Sequence, residues 1–234
     1  MDINCQAVLD MLELQLQYKG EYERMLEKAS ITDRRIEYGV RCISLPLGYY
    51  CPSLVFDIII GGISRGRIVK DKKGCSKYDY VYFKDSTDRV IAADCYYPLG
   101  DSIRLLEKAF CIKDDSQLIV PFYDISGEEP QVLRMIKCEY MNDGKLRNYR
   151  TISSTPNNSL DIKQRYDHAK SYEEYYTYND TGLLDRVVMI NRVMDIVEKH
   201  HYAFTHNDDG LLISYENTET GKEYSIPKSK QRKV

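Results

Sequence analysis

Four stretches of this chain repeat one pattern: an aromatic segment, a polar turn and a second apolar segment. They are Tyr80–Val90, Tyr140–Leu146, Tyr176–Leu184 and Phe204–Leu212. Asn and Asp tolerate a positive φ and hydrogen-bond to the nearby backbone, and Gly adopts the left-handed conformation at little cost. Each stretch is therefore predicted to be an antiparallel β-hairpin, because a turn of this chemistry reverses the chain between two strands.

The turns of these stretches are spaced in a way that indicates a degenerate repeat. The turn positions Asp88, Gly144, Gly182 and Gly210 are separated by 56, 38 and 28 residues, and the first spacing is twice the last. A fifth turn at 217–221 precedes a predicted closing strand at 223–227. The sequence thus predicts a long run of hairpins.

Tyrosine dominates the aromatic residues of these hairpins: the chain has 21 Tyr, 5 Phe and no Trp. Aromatic side chains favour strands and pair across them, and a face of tyrosines also offers the rigid contact area typical of protein-binding surfaces. Doublets such as Tyr96-Tyr97 present one ring to each face of a strand, so some rings should be exposed. The candidate partner-binding residues are the tyrosines of the hairpins and their acidic neighbours: Tyr80, Tyr82, Tyr96, Tyr97, Tyr140, Tyr175, Tyr176, Tyr178, Asp79, Asp94, Glu139, Glu173 and Glu174.

Helical periodicity is confined to a few segments. Apolar residues recur every three or four positions over 1–30, which predicts an N-terminal helix that a break at Gly20 would divide into two. Residues 101–112 are predicted to form a second, short helix, and 159–173 fit a helix or a strand. Residues 54–60 are predicted to form a buried strand.

Together these patterns predict an α+β fold, in which the N-terminal helix packs on a curved antiparallel β-meander with one further short helix. Residues 1–227 are expected to form a single domain, with hairpins over 54–227. Residues 228–234 contain four basic and no acidic residues and are expected to form a flexible tail.

Composition and charge argue against several classes of protein. With 33 basic and 36 acidic residues, four of the basic ones in the predicted tail, the body is acidic, so general nucleic-acid binding is not expected. The seven cysteines form no C-x-x-C pair, which argues against a zinc ribbon or a thioredoxin-like site. No signal peptide or membrane-spanning segment is evident, and reduced thiols fit a cytoplasmic protein without a membrane partner.

Enzymatic motifs are weak in this sequence, and no cofactor is expected. His200, His201 and His206 are of a type that binds divalent metals, but on one strand His200 and His206 would be about 20 Å apart at ~3.3 Å per residue. They remain an alternative site for a small enzyme or a metal-binding protein. Paired acids such as Asp208-Asp209 also lack a predicted pocket.

The segments around Gly182 and Gly210 resemble the tyrosine-aspartate (YD, or RHS-type) repeat, in which a Tyr-x-Tyr-Asp strand turns through Gly into an Arg-Leu strand. Here Leu183 and Leu211 stand where the repeat has Arg. The chain is also similar to stand-alone bacterial immunity proteins encoded around polymorphic-toxin systems. That resemblance implies a cytoplasmic, non-enzymatic protein that binds and neutralises a toxin domain, and the acidic residues would suit a basic one. A self-associating structural module is a further alternative, because an open sheet has edges that can pair.

Overall fold

The computed structural model describes residues 3–30, 35–42, 45–60, 63–70, 79–99, 102–154, 161–194 and 196–234. The helices in these ranges are α1 (Ile3–Gln17), α2 (Tyr22–Ser30), α3 (Phe56–Ile59) and α4 (Ile162–His168). The strands are β1 (Arg35–Val40), β2 (Arg67–Val69), β3 (Tyr80–Lys84), β4 (Val90–Leu99), β5 (Ser102–Phe110), β6 (Ile112–Lys113), β7 (Gln117–Asp124), β8 (Gln131–Tyr140), β9 (Leu146–Ser153), β10 (Lys170–Tyr178), β11 (Leu184–Val193), β12 (Ile196–His206), β13 (Leu212–Asn217) and β14 (Lys222–Ser225).

The described strands form one 14-stranded antiparallel sheet. Its order is β14-β13-β12-β11-β10-β9-β8-β7-β5-β4-β3-β1-β2, and the short β6 pairs with β7 beside this path. From β7 to β14 each strand pairs with the next one along the chain, as hairpin connections require.

The four predicted hairpins are confirmed, and they share one geometry. Each has a register shift just before the turn, after which Lys84 pairs with Val90, Tyr140 with Leu146, Tyr178 with Leu184 and His206 with Leu212. The φ angles at the turn positions are 68° at Asp88, 82° at Gly144, 80° at Gly182 and 75° at Gly210. Since neighbouring strands are antiparallel, all four turns lie at the same end of the sheet.

Asx side chains stabilise these turns. Asn179 Oδ1 accepts hydrogen bonds from the backbone N–H of Thr181 and Leu183, at 3.1 and 3.0 Å. Asn207 accepts from Asp209 and Leu211 in the same way. The two Asn side chains therefore bind backbone N–H groups in the turns, which cannot take part in the hydrogen bonds between the strands.

Both faces of the sheet are covered. On the face that we call the outer face, α1, α2 and α4 pack through Met11, Leu12 and Met25, among others. On the opposite, inner face lies the segment 45–60, whose Leu45 and Val55 are fully buried in a large cluster with side chains of the central strands. No helix in the described part of the chain is long and apolar enough to span a bilayer.

The predicted α+β fold class is wrong, because the chain is dominated by one large antiparallel sheet and the four described helices are short. The helix predicted over 101–112 is instead the strand β5, which pairs with β4 from Ala92 to Leu99. Cross-strand pairing outweighs the three- and four-residue spacing of its apolar residues. Conversely, most of the strand predicted at 54–60 is the helix α3.

The helix predicted over 1–30 is divided into α1 and α2 near Gly20, which has a φ of 78°. The ambiguous segment 159–173 contains both α4 and the start of β10. Asp161 caps α4 by accepting a hydrogen bond from Gln164 N, and the side chain of Gln164 completes a capping box. Residues 159–160 of the segment lie outside the described ranges.

The last seven residues, expected to form a flexible tail, make specific contacts in the structure. Arg232 pairs with Asp57, with Arg232 Nη2 2.9 Å from Asp57 Oδ1. The carbonyl oxygens of Arg232 and Val234 accept hydrogen bonds from Leu212 N and Leu184 N. The segment thus runs across the ends of β13 and β11 at the inner face.

Candidate functional site

Several residues predicted to contact a partner are buried in the protein. Tyr80 and Tyr82 are 1% and 0% exposed, and their stacked rings lie 5.5 Å apart. Their hydroxyls donate hydrogen bonds to the carbonyl oxygens of Leu45 and Leu47, both at 3.1 Å. These two tyrosines therefore fix the segment 45–60 on the inner face.

Glu174 is also fully buried, in a shell of hydroxyl groups. The Tyr172 hydroxyl donates to Glu174 Oε1 at 2.5 Å, and Ser53 and Tyr176 also donate to the carboxyl group. Burial raises the pKa of Glu174, and the hydroxyl donors and the charge of Arg65 only partly oppose this. Because Ser53 belongs to the covering segment, the carboxyl group joins that segment to β10.

The remaining candidates also make contacts inside the protein. On the outer face Glu173 accepts from Tyr175, and Asp94 binds Lys108. Half-buried Tyr97 donates to Glu107 Oε2 at 2.8 Å, and Tyr178 donates to Leu146 O at 2.8 Å.

Further contacts involve the last four candidates. Glu139 accepts a hydrogen bond from Asn148 at 2.7 Å, and Asp79 accepts one from Cys42 N at 2.8 Å. The Tyr140 ring lies beneath the ammonium group of Lys113, and Tyr96 is half-buried. The predicted partner-binding residues that are buried stabilise the fold. For those that are half-buried, contact with a partner stays a prediction.

The three histidines do not converge. His200 Nδ1 and His201 Nε2 each lie 3.9 Å from a carboxylate oxygen of Glu219 near the middle of β12, whereas His206 is the last residue of that strand. Burial lowers the pKa of His206, although Asp185 opposes this. The described residues contain no group of three or more His, Cys, Asp or Glu side chains that could hold a metal ion.

A half-open cleft of about 380 Å³ lies on the inner face, between the segment 45–60 and strands β9 to β12. Its floor is a row of side chains aligned across four strands: Thr151, Tyr172, Asn191 and Glu198. The next row contributes Met189 and His200. Sequence reasoning missed this cleft, because its second wall, Pro46 with Phe56, Ile59 and Ile60, comes from a segment whose position is set by long-range contacts.

Aromatic rings line the cleft around an unpaired carboxylate. The Phe56 ring packs edge-on against Tyr172 at 4.8 Å, and Tyr202 stands beside His200 with 6.3 Å between ring centroids. Glu198 is exposed, and its side chain has no hydrogen-bond or ion-pair partner within the described ranges. The cleft lining contains no Lys or Arg. Its electrostatic character is therefore acidic.

A second cavity, of about 450 Å³, lies between α2 and the β3–β4 turn. It is larger, and the two acidic residues in its lining are paired: Asp85 binds Arg89, and Asp88 binds Lys84. Asp85 is held ionised mainly by its hydrogen bond from Thr87, which lowers its pKa to about 2. The cleft on β9 to β12 is the stronger candidate, because an unpaired carboxylate lies there beside aromatic rings.

The cleft continues into an exposed apolar finger at the end of the β11–β12 hairpin, which we define as Val193, Met194, Ile196 and Val197. Val193 is 37% and Ile196 is 63% exposed. The two residues pair with each other and lie on the same face as Glu198, two positions along the strand. β13 pairs with β12 only from Tyr202 onward. The edge of β12 that faces away from β11 is therefore not paired with a described strand in the finger.

Met194 at the finger tip has a φ of 58° and is 52% exposed. A left-handed conformation is unfavourable for a non-glycine residue, and local strain of this kind is concentrated at functional sites. The finger therefore combines an exposed apolar surface with a turn residue in an unfavourable backbone conformation.

No protein-family model matches this chain, and neither does any curated protein. Among solved structures, a porin-like protein from Bacteroides vulgatus ATCC 8482 is similar to it, with a TM-score of 0.39 and 10% sequence identity. The match covers 72% of this chain and 95% of that chain. At this TM-score the likeness carries no argument about the fold or the function.

Proposed function

We propose that this protein is a non-enzymatic binding protein that recognises another protein through the finger and the adjoining cleft. The observation that carries the proposal is the continuous inner surface formed by exposed Val193 and Ile196, the carboxylate of Glu198 and the aromatic walls of the cleft. Exposed apolar surface next to aromatic side chains is the composition of protein-binding patches.

Charge complementarity defines the kind of partner. Glu198 lines the cleft, Glu219 lies 3.9 Å from the lining residue His200, and the lining contains no Lys or Arg. Such a surface favours a partner with a basic patch, because opposite potentials speed the encounter and select the partner. In keeping with the resemblance to immunity proteins, we propose a basic toxin domain as that partner and the cytoplasm as the place of binding.

The test begins with the products of the flanking coding sequences, each purified and titrated with this protein by calorimetry. A toxin domain among them should form a stable complex, and co-expression of this chain should restore growth of cells that express the toxin. Absence of a complex at micromolar concentrations, together with unchanged growth inhibition, would overturn the proposal.

Two matched double variants locate the surface. Val193→Thr with Ile196→Thr removes apolar area from the finger but keeps β-branched side chains, and we expect at least a tenfold loss of affinity, equivalent to about 1.4 kcal/mol. Leu99→Thr with Ile103→Thr removes two residues that are also exposed, 51% and 39%, from the tip of the β4–β5 hairpin. That tip lies at the same end of the sheet, six strand spacings or about 29 Å away. The control variant should bind the partner with the affinity of the parent protein. Equal losses of affinity in both variants would argue against the finger as the binding surface.

A further inference from the structure

We propose that the cleft holds an arginine side chain of the partner, with the guanidinium group between the aromatic rings and against Glu198. This inference deepens the proposed function and rests on it for the identity of the partner. The cleft itself is a property of this chain alone, and its ligand chemistry can be tested without the partner.

Aromatic groups line the cleft. The rings of Phe56, Tyr172 and Tyr202 and the imidazole of His200 all contribute to the lining of its space of about 380 Å³. The face of an aromatic ring attracts a cation, and a planar guanidinium also stacks on it. The protein uses the same contact within its own fold, where the guanidinium carbon of Arg134 lies 4.5 Å from the centre of the Phe122 ring.

Unpaired polar groups line the cleft as well. The side chains of Glu198, Asn191 and Thr151 have no hydrogen-bond partner within the described ranges, and all three line the cleft in one cross-strand row. The carboxylate and the amide oxygen are acceptors, and a guanidinium offers five donors in a fixed plane. A lysine ammonium would satisfy fewer of these acceptors and could not stack.

The negative charge of Glu198 is not neutralised by the arginines near the cleft. Arg65 binds Asp57 at 3.0 Å, and Arg192 is on the outer face against Tyr166. Glu198 therefore has no cation of its own, whereas other carboxylates close to the inner face, such as Asp57 and Glu107, each bind an arginine.

The experiment titrates the protein alone with N-acetyl-arginine methylamide and follows the tyrosine and histidine resonances by NMR. The neutral, nearly isosteric N-acetyl-citrulline methylamide is the control probe. We expect resonances of Tyr172, Tyr202 and His200 to shift with the arginine probe and at least fivefold weaker binding of the citrulline probe.

Variants complete the test. Glu198→Gln keeps the shape of the cleft and should weaken binding of the arginine probe at least fivefold. Glu216→Gln removes an exposed acid from the opposite face of the neighbouring strand β13 and should leave binding unchanged. Equal binding of the two probes, or unchanged affinity in Glu198→Gln, overturns the inference. If the probe binds as expected but no partner does, the cleft assignment stands and the proposed function fails.

Discussion

Glu174 is the residue at which burial and hydrogen bonding oppose each other most directly. Its carboxyl group is fully buried, and three hydroxyls from Ser53, Tyr172 and Tyr176 donate to it. Burial raises its pKa above the ordinary value of 4.5 in spite of these donors. The folded state therefore binds a proton more readily than the unfolded chain does, and ionised Glu174 costs stability at neutral pH.

Replacement of Glu174 by Gln should change the pH dependence of stability. Because the folded pKa is raised, the parent protein gains stability from this group as the pH falls from 7.5 toward about 4.5, and Glu174→Gln cannot. Urea unfolding at pH 7.5 and pH 5 measures the free energy of unfolding of both proteins. The value for the parent, relative to that for Glu174→Gln, should be larger at pH 5 than at pH 7.5. The exposed control Glu216→Gln should keep the parental slope, and identical slopes in all three proteins would contradict the assignment.

At the level of single residues, the alternation of side chains along β3 places Tyr80 and Tyr82 on the same face. It does not predict that this face is buried. Burial there depends on the segment 45–60, whose Gly- and Pro-containing sequence has no periodicity, and on hydroxyl contacts to Leu45 and Leu47 across 35 residues of chain. A local pattern contains no information about such distant contacts.

At the level of elements, the repeated turns are the part of the fold that local chemistry specifies most strongly. Gly144 has a φ of 82°, and a Cβ built there would meet nothing within 4 Å. Gly144→Ala should therefore destabilise the protein purely through its backbone, by about 1–2 kcal/mol. Thermal and urea unfolding would measure the change.

Gly127 provides the matched control, because a Cβ there also meets nothing and its φ is not in the left-handed region. Gly127→Ala should be neutral or stabilise by roughly 0.4–1 kcal/mol, since Ala restricts the unfolded chain. Equal effects at the two positions would show that the left-handed turn conformation is not the cause.

For two elements, β5 and α3, the spacing and composition of the apolar residues predict the wrong secondary structure. Turn chemistry is local, so the hairpins at Asp88, Gly144, Gly182 and Gly210 could be predicted. The segment 102–110 carries apolar residues at helical spacing, but pairing with β4 and β7 makes it a strand. Residues 56–59 have a strand-like composition, but Ser53 Oγ accepts a hydrogen bond from Phe56 N at 2.9 Å and helps to start a helix there.

At the level of the whole molecule, the sheet is held between two coverings of different kinds. The helices on the outer face contribute apolar side chains such as Met11 and Leu12. The inner covering is fixed in addition by buried carboxyl groups, at Glu174 and Asp57. The cleft is the part of the inner face that this covering leaves open, so its position depends on long-range polar contacts that the sequence alone does not predict.

Asp57 is the point at which the C-terminal segment is fixed to this covering. It is 3% exposed and accepts from Arg65 Nε at 3.0 Å and from Arg232 Nη1 at 3.0 Å. Burial opposes its ionisation, but the hydrogen bonds from Arg232 and the charges of Arg65 and Arg232 outweigh burial and lower its pKa. Ionised Asp57 therefore stabilises the folded state.

Replacement of Arg232 by Ala should destabilise the protein by about 1–3 kcal/mol at pH 7, less than the loss of a fully buried pair because Arg65 remains and Arg232 is partly exposed. The exposed neighbour Lys233→Ala should have little effect. Since the folded pKa of Asp57 is lowered, its contribution is present above its unfolded pKa of roughly 4 and is lost as the pH falls further. The stability difference between the parent protein and Arg232→Ala should therefore shrink in acid unfolding experiments below about pH 4. A difference that stays constant down to pH 2 would mean that Arg232 acts through packing of its side-chain stem and not through the charge of Asp57.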